Sequence, residues 1–129
     1  MKNYLVDTHT LIWRLLKNPK LSSKANKVFD EAIKGKALLI IPSIVLLELL
    51  FVMQKHRLAH RFPEIIKNIE ESPMYRVFSL DLSVIKEVSK IRYIKEAHDR
   101  VIVATALMTD SYIITKDLEI KKLYPKTIW

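Results

Sequence analysis

Ala37-Leu38-Leu39-Ile40-Ile41-Pro42-Ser43-Ile44-Val45-Leu46-Leu47-Glu48-Leu49-Leu50-Phe51-Val52-Met53 is nearly unbroken apolar sequence, and the fold turns on how it is read. As a membrane span it is at the lower limit of length, and Pro42, Ser43 and Glu48 interrupt it. Proline cannot donate to a strand ladder but suits the first turn of a helix. The stretch therefore reads as a buried strand, Leu38–Ile41, followed by a helix that opens at Pro42-Ser43, with Ser43 as cap, and runs to about His56. Positions three and four away from Glu48 are apolar, so this helix is expected to be buried all round. A carboxylate inside it needs a partner.

The same alternation extends to both sides. Upstream, Asn3–Val6 reads as a strand and Thr8–Lys17 as a helix that stops before Asn18-Pro19. Ser22 or Ser23 then caps a helix through Lys34, with Ala25, Val28, Phe29, Ala32 and Ile33 at helical spacing and Gly35 as its stop. Downstream, Pro63 starts a helix carrying Ile65, Ile66 and Ile69, and Tyr75–Leu80 alternates as a strand. Asp81 or Ser83 caps a helix bearing Ile85, Val88, Ile91 and Ile94. Asp99–Thr109 is a further helix, Tyr112–Thr115 a strand, Asp117–Leu123 a short helix and Thr127–Trp129 a closing strand. Short apolar runs alternating with amphipathic ones predict an α/β fold on a mainly parallel sheet. The 129 residues make a single domain, 1–129, without repeat or linker.

Composition removes whole classes of chemistry. No cysteine means no disulfide, thiolate zinc site or thiol nucleophile, and fits a cytoplasmic protein. One glycine excludes the glycine-rich phosphate loops, and no GxSxG elbow is present. The four histidines, His9, His56, His60 and His98, form no zinc motif and are expected at the surface. No signal segment is expected, because the apolar run at Tyr4–Val6 ends in Asp7. The net charge is +8, the footprint of a protein that meets a polyanion.

Against that basic background four acids stand where apolar elements should not want them: Asp7 after the first strand, Glu48, Asp99 before Val101-Ile102-Val103, and Asp117 after Ile113-Ile114-Thr115. Sites in open parallel sheets form beyond the C-terminal ends of the strands, where Asp7 and Asp117 both fall. Gathered about 5 Å apart, each pair of carboxylates repels by roughly 3 kcal/mol at an effective dielectric near 20. A hard divalent cation, Mg²⁺ or Mn²⁺, relieves this most directly. Each acid also has a plainer reading. Asp7, Asp99 and Asp117 can be helix N-caps, and Glu48 can pair with Arg100.

Four segments carry a resemblance. Tyr4-Leu-Val-Asp-Thr-His-Thr-Leu-Ile-Trp13, Pro42-Ser-Ile-Val-Leu-Leu-Glu-Leu49, His98-Asp-Arg-Val-Ile-Val-Ala-Thr-Ala-Leu107 and Ile113-Ile-Thr-Lys-Asp-Leu118 resemble the successive motifs of PIN-domain proteins, most closely the VapC-like toxins. One difference is Glu96-Ala97-His98, where the family more usually has Asp-Pro-x. The resemblance implies an α/β/α sandwich and an Mg²⁺- or Mn²⁺-dependent endoribonuclease, the toxin of a toxin–antitoxin pair. It places the acidic site on Asp7, Glu48, Asp99 and Asp117. Thr8, Ser43 and Thr115 would support it, with Arg100 in a structural role. A cognate antitoxin and a homodimer are the implied partners, and either would cover surplus apolar surface on the Glu48 helix. Basic residues near the site, Arg14, Lys17, Lys20, Lys116 and Lys121, are candidates to grip RNA phosphates. The alternatives are a PIN-like module that binds RNA without cutting it, and a DNA-binding regulator. A DNA regulator lacks a recognition-helix pattern.

Overall fold

The computed structural model describes residues 1–129. Five strands, β1 (Lys2–Val6), β2 (Ala37–Pro42), β3 (Tyr75–Phe78), β4 (Tyr112–Ile114) and β5 (Thr127–Ile128), form one sheet in the order β3-β2-β1-β4-β5. Every pairing is parallel. Seven helices connect them: α1 (Thr8–Leu15), α2 (Ser23–Ile33), α3 (Ser43–Lys55), α4 (Phe62–Glu71), α5 (Leu82–Val88), α6 (Ala97–Thr109) and α7 (Leu118–Leu123). Strands buried on both faces explain the near-continuous apolar runs at β2 and β4. The fold is the α/β/α arrangement expected.

The chain leaves β1 in one direction, to β2 and β3, then returns through α5 and α6 to add β4 and β5 on the other side of β1. The strand order therefore reverses between β1 and β4, and a crevice opens there beyond their C-terminal ends. α6 crosses beneath this reversal, packed on β1, β2 and β4. Val101, Ile102, Val103, Ala104 and Ala106 are buried in it.

The stretch Ala37–Met53 resolves as strand then helix, and no helix is long and apolar enough to cross a membrane. α3 is not buried all round, however. Val45, Leu49 and Met53 face the core, whereas Leu47 and Phe51 are more than half exposed. Ser43 does not cap it either. Pro42 still pairs with Phe78 in the sheet, so the helix begins at Ser43 itself. The Ser43 hydroxyl instead accepts from the Leu80 amide at 2.9 Å, fastening the end of β3 to the start of α3.

Other boundaries moved for identifiable reasons. α1 ends at Leu15 because Lys17 adopts a left-handed conformation, φ 53°, and Asn18 N–H closes on the Trp13 carbonyl at 2.8 Å. α5 ends at Val88, so Ile91 and Ile94 are buried from an irregular segment rather than from a helix face, and Ile85 is largely exposed. Asp81 is the cap of α5, accepting from Val84 N–H at 3.2 Å and the Ser83 hydroxyl at 2.6 Å; those donors pull its carboxyl below the ordinary range.

Gly35 follows α2 at φ 75°, with its N–H on the Ala32 carbonyl and Lys36 N–H on that of Glu31. No atom lies within 4 Å of where a Cβ would stand. Gly35→Ala is therefore expected to cost only left-handed backbone strain, about 1 kcal/mol. Thermal unfolding checks this; a loss several times larger would mean that more than φ is at stake.

Candidate active site

The register of β1 against β4 sets Val6 beside Ile114, so the next residues, Asp7 and Thr115, emerge side by side. Both are buried. The Thr115 hydroxyl donates to Asp7 Oδ2 and accepts from the Asp117 amide at 3.0 Å, tying the acid after β1 to the acid after β4. Asp7 Oδ1 accepts from Thr10 N–H at 2.9 Å and so caps α1. The Thr10 hydroxyl in turn donates to the Ile114 carbonyl at 2.8 Å, pinning α1 across the strand reversal. Asp7 thus performs the capping role allowed for it and lies at the crevice as well. Asp117 does the same for α7, accepting from Ile120 N–H at 2.9 Å.

Glu48 reaches the crevice from the side of α3. Its Oε1 accepts from the Thr8 hydroxyl at 2.9 Å and lies 2.5 Å from His98 Nδ1. That approach is not aligned along a ring N–H, and His98 Nδ1 makes no directed hydrogen bond. Glu48 and His98 are thus in contact without a directed hydrogen bond between them. The pairing of Glu48 with Arg100 does not form. The Arg100 guanidinium donates to the Ile94 carbonyl, fastening the start of α6 to the preceding segment.

Asp99 is not a cap. α6 starts two residues earlier than expected, at Ala97, with Glu96 in the cap position and no side-chain cap bond. Asp99 sits in the first turn, where the helix dipole favours an anion. Loss of solvent nonetheless pushes its carboxyl above the ordinary range, and Asp117 adds to the rise, as do Glu119 and Glu96 more weakly; His98 opposes it. The field at Asp99 is that of excess negative charge.

These side chains line a single cavity of about 450 Å³, bounded by Asp7, Thr8, Glu48, His98, Asp99 and Asp117, with His9, Trp13, Lys116 and Trp129 at its wall. Ser43 and Arg100 do not line it. Four acids from four separate segments thus open onto one space.

The PIN domain family profile matches residues 4–125. The chain belongs to the PIN domain family. Its fold is shared with solved structures of low identity. VapBC2 from Rickettsia felis, solved bound to a DNA fragment from its promoter, superposes with TM-score 0.73 at 17% identity over 98% of this chain and 96% of that one. A toxin–antitoxin complex from Klebsiella pneumoniae gives 0.70 at 17% identity, again over 98% and 96%. FitAcB from Neisseria gonorrhoeae gives 0.64 at 22% over 88% and 87%. No curated protein matches the sequence.

In this PIN domain the cavity offers carboxylate and hydroxyl oxygens with two imidazoles, His9 and His98, and the oxygens are the chemistry a hard divalent cation takes. No three Asp, Glu or His side chains are drawn together into a ready ligand shell. Asp7 has both carboxylate oxygens engaged by neighbours, and Asp117 and Glu48 one each.

Four wall residues of the PIN cavity were not anticipated. His98 was expected at the surface but is half-buried against Glu48. His9 and Trp13 share a face of α1 because they are one turn apart, and Trp129 arrives from β5. Arg14, by contrast, is turned away from the acids onto α2. It donates to Asn26 at 2.9 Å, pairs with Asp30 at 3.4 Å and lies 5.0 Å from the centre of the Phe29 ring.

Proposed function

We propose that this PIN domain is the toxin of a toxin–antitoxin pair and an endoribonuclease that hydrolyses RNA phosphodiester bonds with a bound Mg²⁺ or Mn²⁺. The observation that carries the reading is the convergence of Asp7, Glu48, Asp99 and Asp117 on one cavity at the strand reversal, in a chain otherwise strongly basic. The toxin–antitoxin complexes among its structural neighbours support the pairing with an antitoxin. The outward Leu47 and Phe51 of α3 offer that partner, or a second copy of the chain, an apolar surface to cover.

Asp7, Asp99, Glu48 and Asp117 would hold the cation. When bound, it supplies Lewis acidity and a water of lowered pKa. The chain's own contribution is position and charge. Thr10 N–H and Thr115 hold the Asp7 carboxylate in one orientation, and the Thr8 hydroxyl steadies Glu48. Asp99 supplies an anion whose charge its surroundings disfavour, and therefore one that gains from a cation. Lys116, beside Asp117 on the cavity wall, offers the substrate phosphate a positive charge.

The absence of a ready ligand shell favours one second reading, a module that binds RNA without cutting it. A single assay separates the two. Purified protein is incubated with a mixed single-stranded RNA pool in chelator, then with Mg²⁺ or Mn²⁺ restored. Cleavage is expected only with the metal. RNA binding without cleavage in either metal would establish the second reading, and equal cleavage in chelator would remove the metal.

A further inference from the structure

Both tryptophans of the chain, Trp13 on α1 and Trp129 after β5, stand on the wall of the acidic cavity. Their rings meet edge to face, centroids 5.7 Å apart at 60°. His9 places its imidazole 5.8 Å from Trp13. Two ammonium groups from different segments converge on the same indole: Lys20, from the turn after α1, at 5.8 Å, and Lys116, from the turn before α7, at 6.0 Å. Both indoles are half-buried, braced from behind by the core and open towards the carboxylates.

A cluster serving only to cover the core has no need to face a polar cavity or to gather free cations. A nucleic-acid strand entering that cavity needs both features. Its phosphates require positive charge on either side of the reacting bond, and an unpaired base gains from a rigid aromatic surface. Lys20 and Lys116 lie over the Trp13 ring and can shift onto a phosphate when a base takes their place on it. We propose that Trp13 and Trp129 form a stacking platform for an unpaired base next to the scissile phosphate, flanked by Lys20 and Lys116. The inference rests on the RNA-cleaving reading above and adds to it a base-binding surface beside the acids. Bases held in a duplex cannot turn onto the platform.

Because these are the only tryptophans, emission excited beyond the tyrosine absorption band reports the platform alone. With Ca²⁺ in place of Mg²⁺, oligoadenylate is titrated against an abasic oligomer of the same length and charge. The base-bearing oligomer is expected to change the emission and to bind about ten- to a hundredfold tighter. Trp13→Ala is expected to bring that ratio close to one, whereas Trp13→Phe keeps most of it. Trp129→Phe leaves Trp13 as the lone reporter, still responsive. A variant damaged in its fold would weaken both oligomers alike, so the ratio isolates the ring. Equal binding of the two oligomers by the unaltered protein, or an unchanged ratio in Trp13→Ala, overturns the platform. Base-selective binding without metal-dependent cleavage would defeat the nuclease reading and leave the platform standing; metal-dependent cleavage without base selection would do the reverse.

Discussion

Asp7→Asn is expected to lower metal-dependent RNA cleavage by about a thousandfold and to soften the fold slightly. The first effect follows from charge. Removing one of the anions proposed to hold the cation forfeits several kcal/mol of stabilisation, and each 1.4 kcal/mol is tenfold in rate. The second follows from the hydrogen bonds of the side chain. Asparagine keeps the cap, because its carbonyl oxygen can still accept from Thr10 N–H. On the other side the Thr115 hydroxyl now donates to a carboxylate oxygen, and the new amide group would meet it with N–H instead. Thr115 Oγ1 already accepts from the Asp117 amide, so its own proton would lose a buried acceptor. That costs about 1 kcal/mol, or a few degrees in melting temperature. Asp7→Ala should lose as much activity and more stability, since the cap goes too. Cleavage rates in saturating Mn²⁺ and thermal unfolding of both variants check the pair. Activity within tenfold of the unaltered protein in Asp7→Asn would take Asp7 out of the metal site.

The strands, most helices and the acid positions could be read from the sequence because they obey local rules. Apolar runs of four or five residues mark strands buried on both faces, and an acid directly after such a run has nowhere to lie but the sheet's edge. Asp7 is of this kind, and Asp117 follows its strand after Thr115 and Lys116. Glu48 stood out because its helical neighbours are apolar, but the inference that α3 is enclosed failed. Leu47 and Phe51 are apolar and exposed, and periodicity cannot distinguish a core from a surface awaiting a partner. The role of Arg100 was decided by the irregular segment from Ser89 to Glu96, whose path depends on burying Ile91 and Ile94 rather than on any local pattern. His98 and the two tryptophans escaped for a similar reason. Nothing in their own segments places them together; the sheet order does, by bringing the start of α6, the last turn of α1 and the residue after β5 to one mouth.

Asp99→Asn tests the acidic cluster from the opposite side, since it is expected to abolish cleavage while stabilising the metal-free protein. Burial, and Asp117 after it, raise the Asp99 carboxyl above its ordinary range, so the folded chain binds that proton more tightly than the unfolded chain does. Stability from this group is therefore complete below the unfolded value and is lost as pH rises through the raised folded one. At neutral pH Asp99 is a cost. Asparagine removes the charge at nearly constant volume, so the variant's melting temperature at neutral pH should lie above that of the unaltered protein, by an amount that solvent screening in the open cavity keeps small. The difference between variant and unaltered protein should shrink as pH falls through the raised value, because protonation then does what the substitution does. It should shrink again at neutral pH when Mg²⁺ or Mn²⁺ is added, because a cation neutralises the same charge. A melting temperature lowered equally at every pH, and indifferent to metal, would mean that Asp99 holds the fold together. The cluster would then be no store of unneutralised charge, and the case for a cation between these four acids would lose its physical basis.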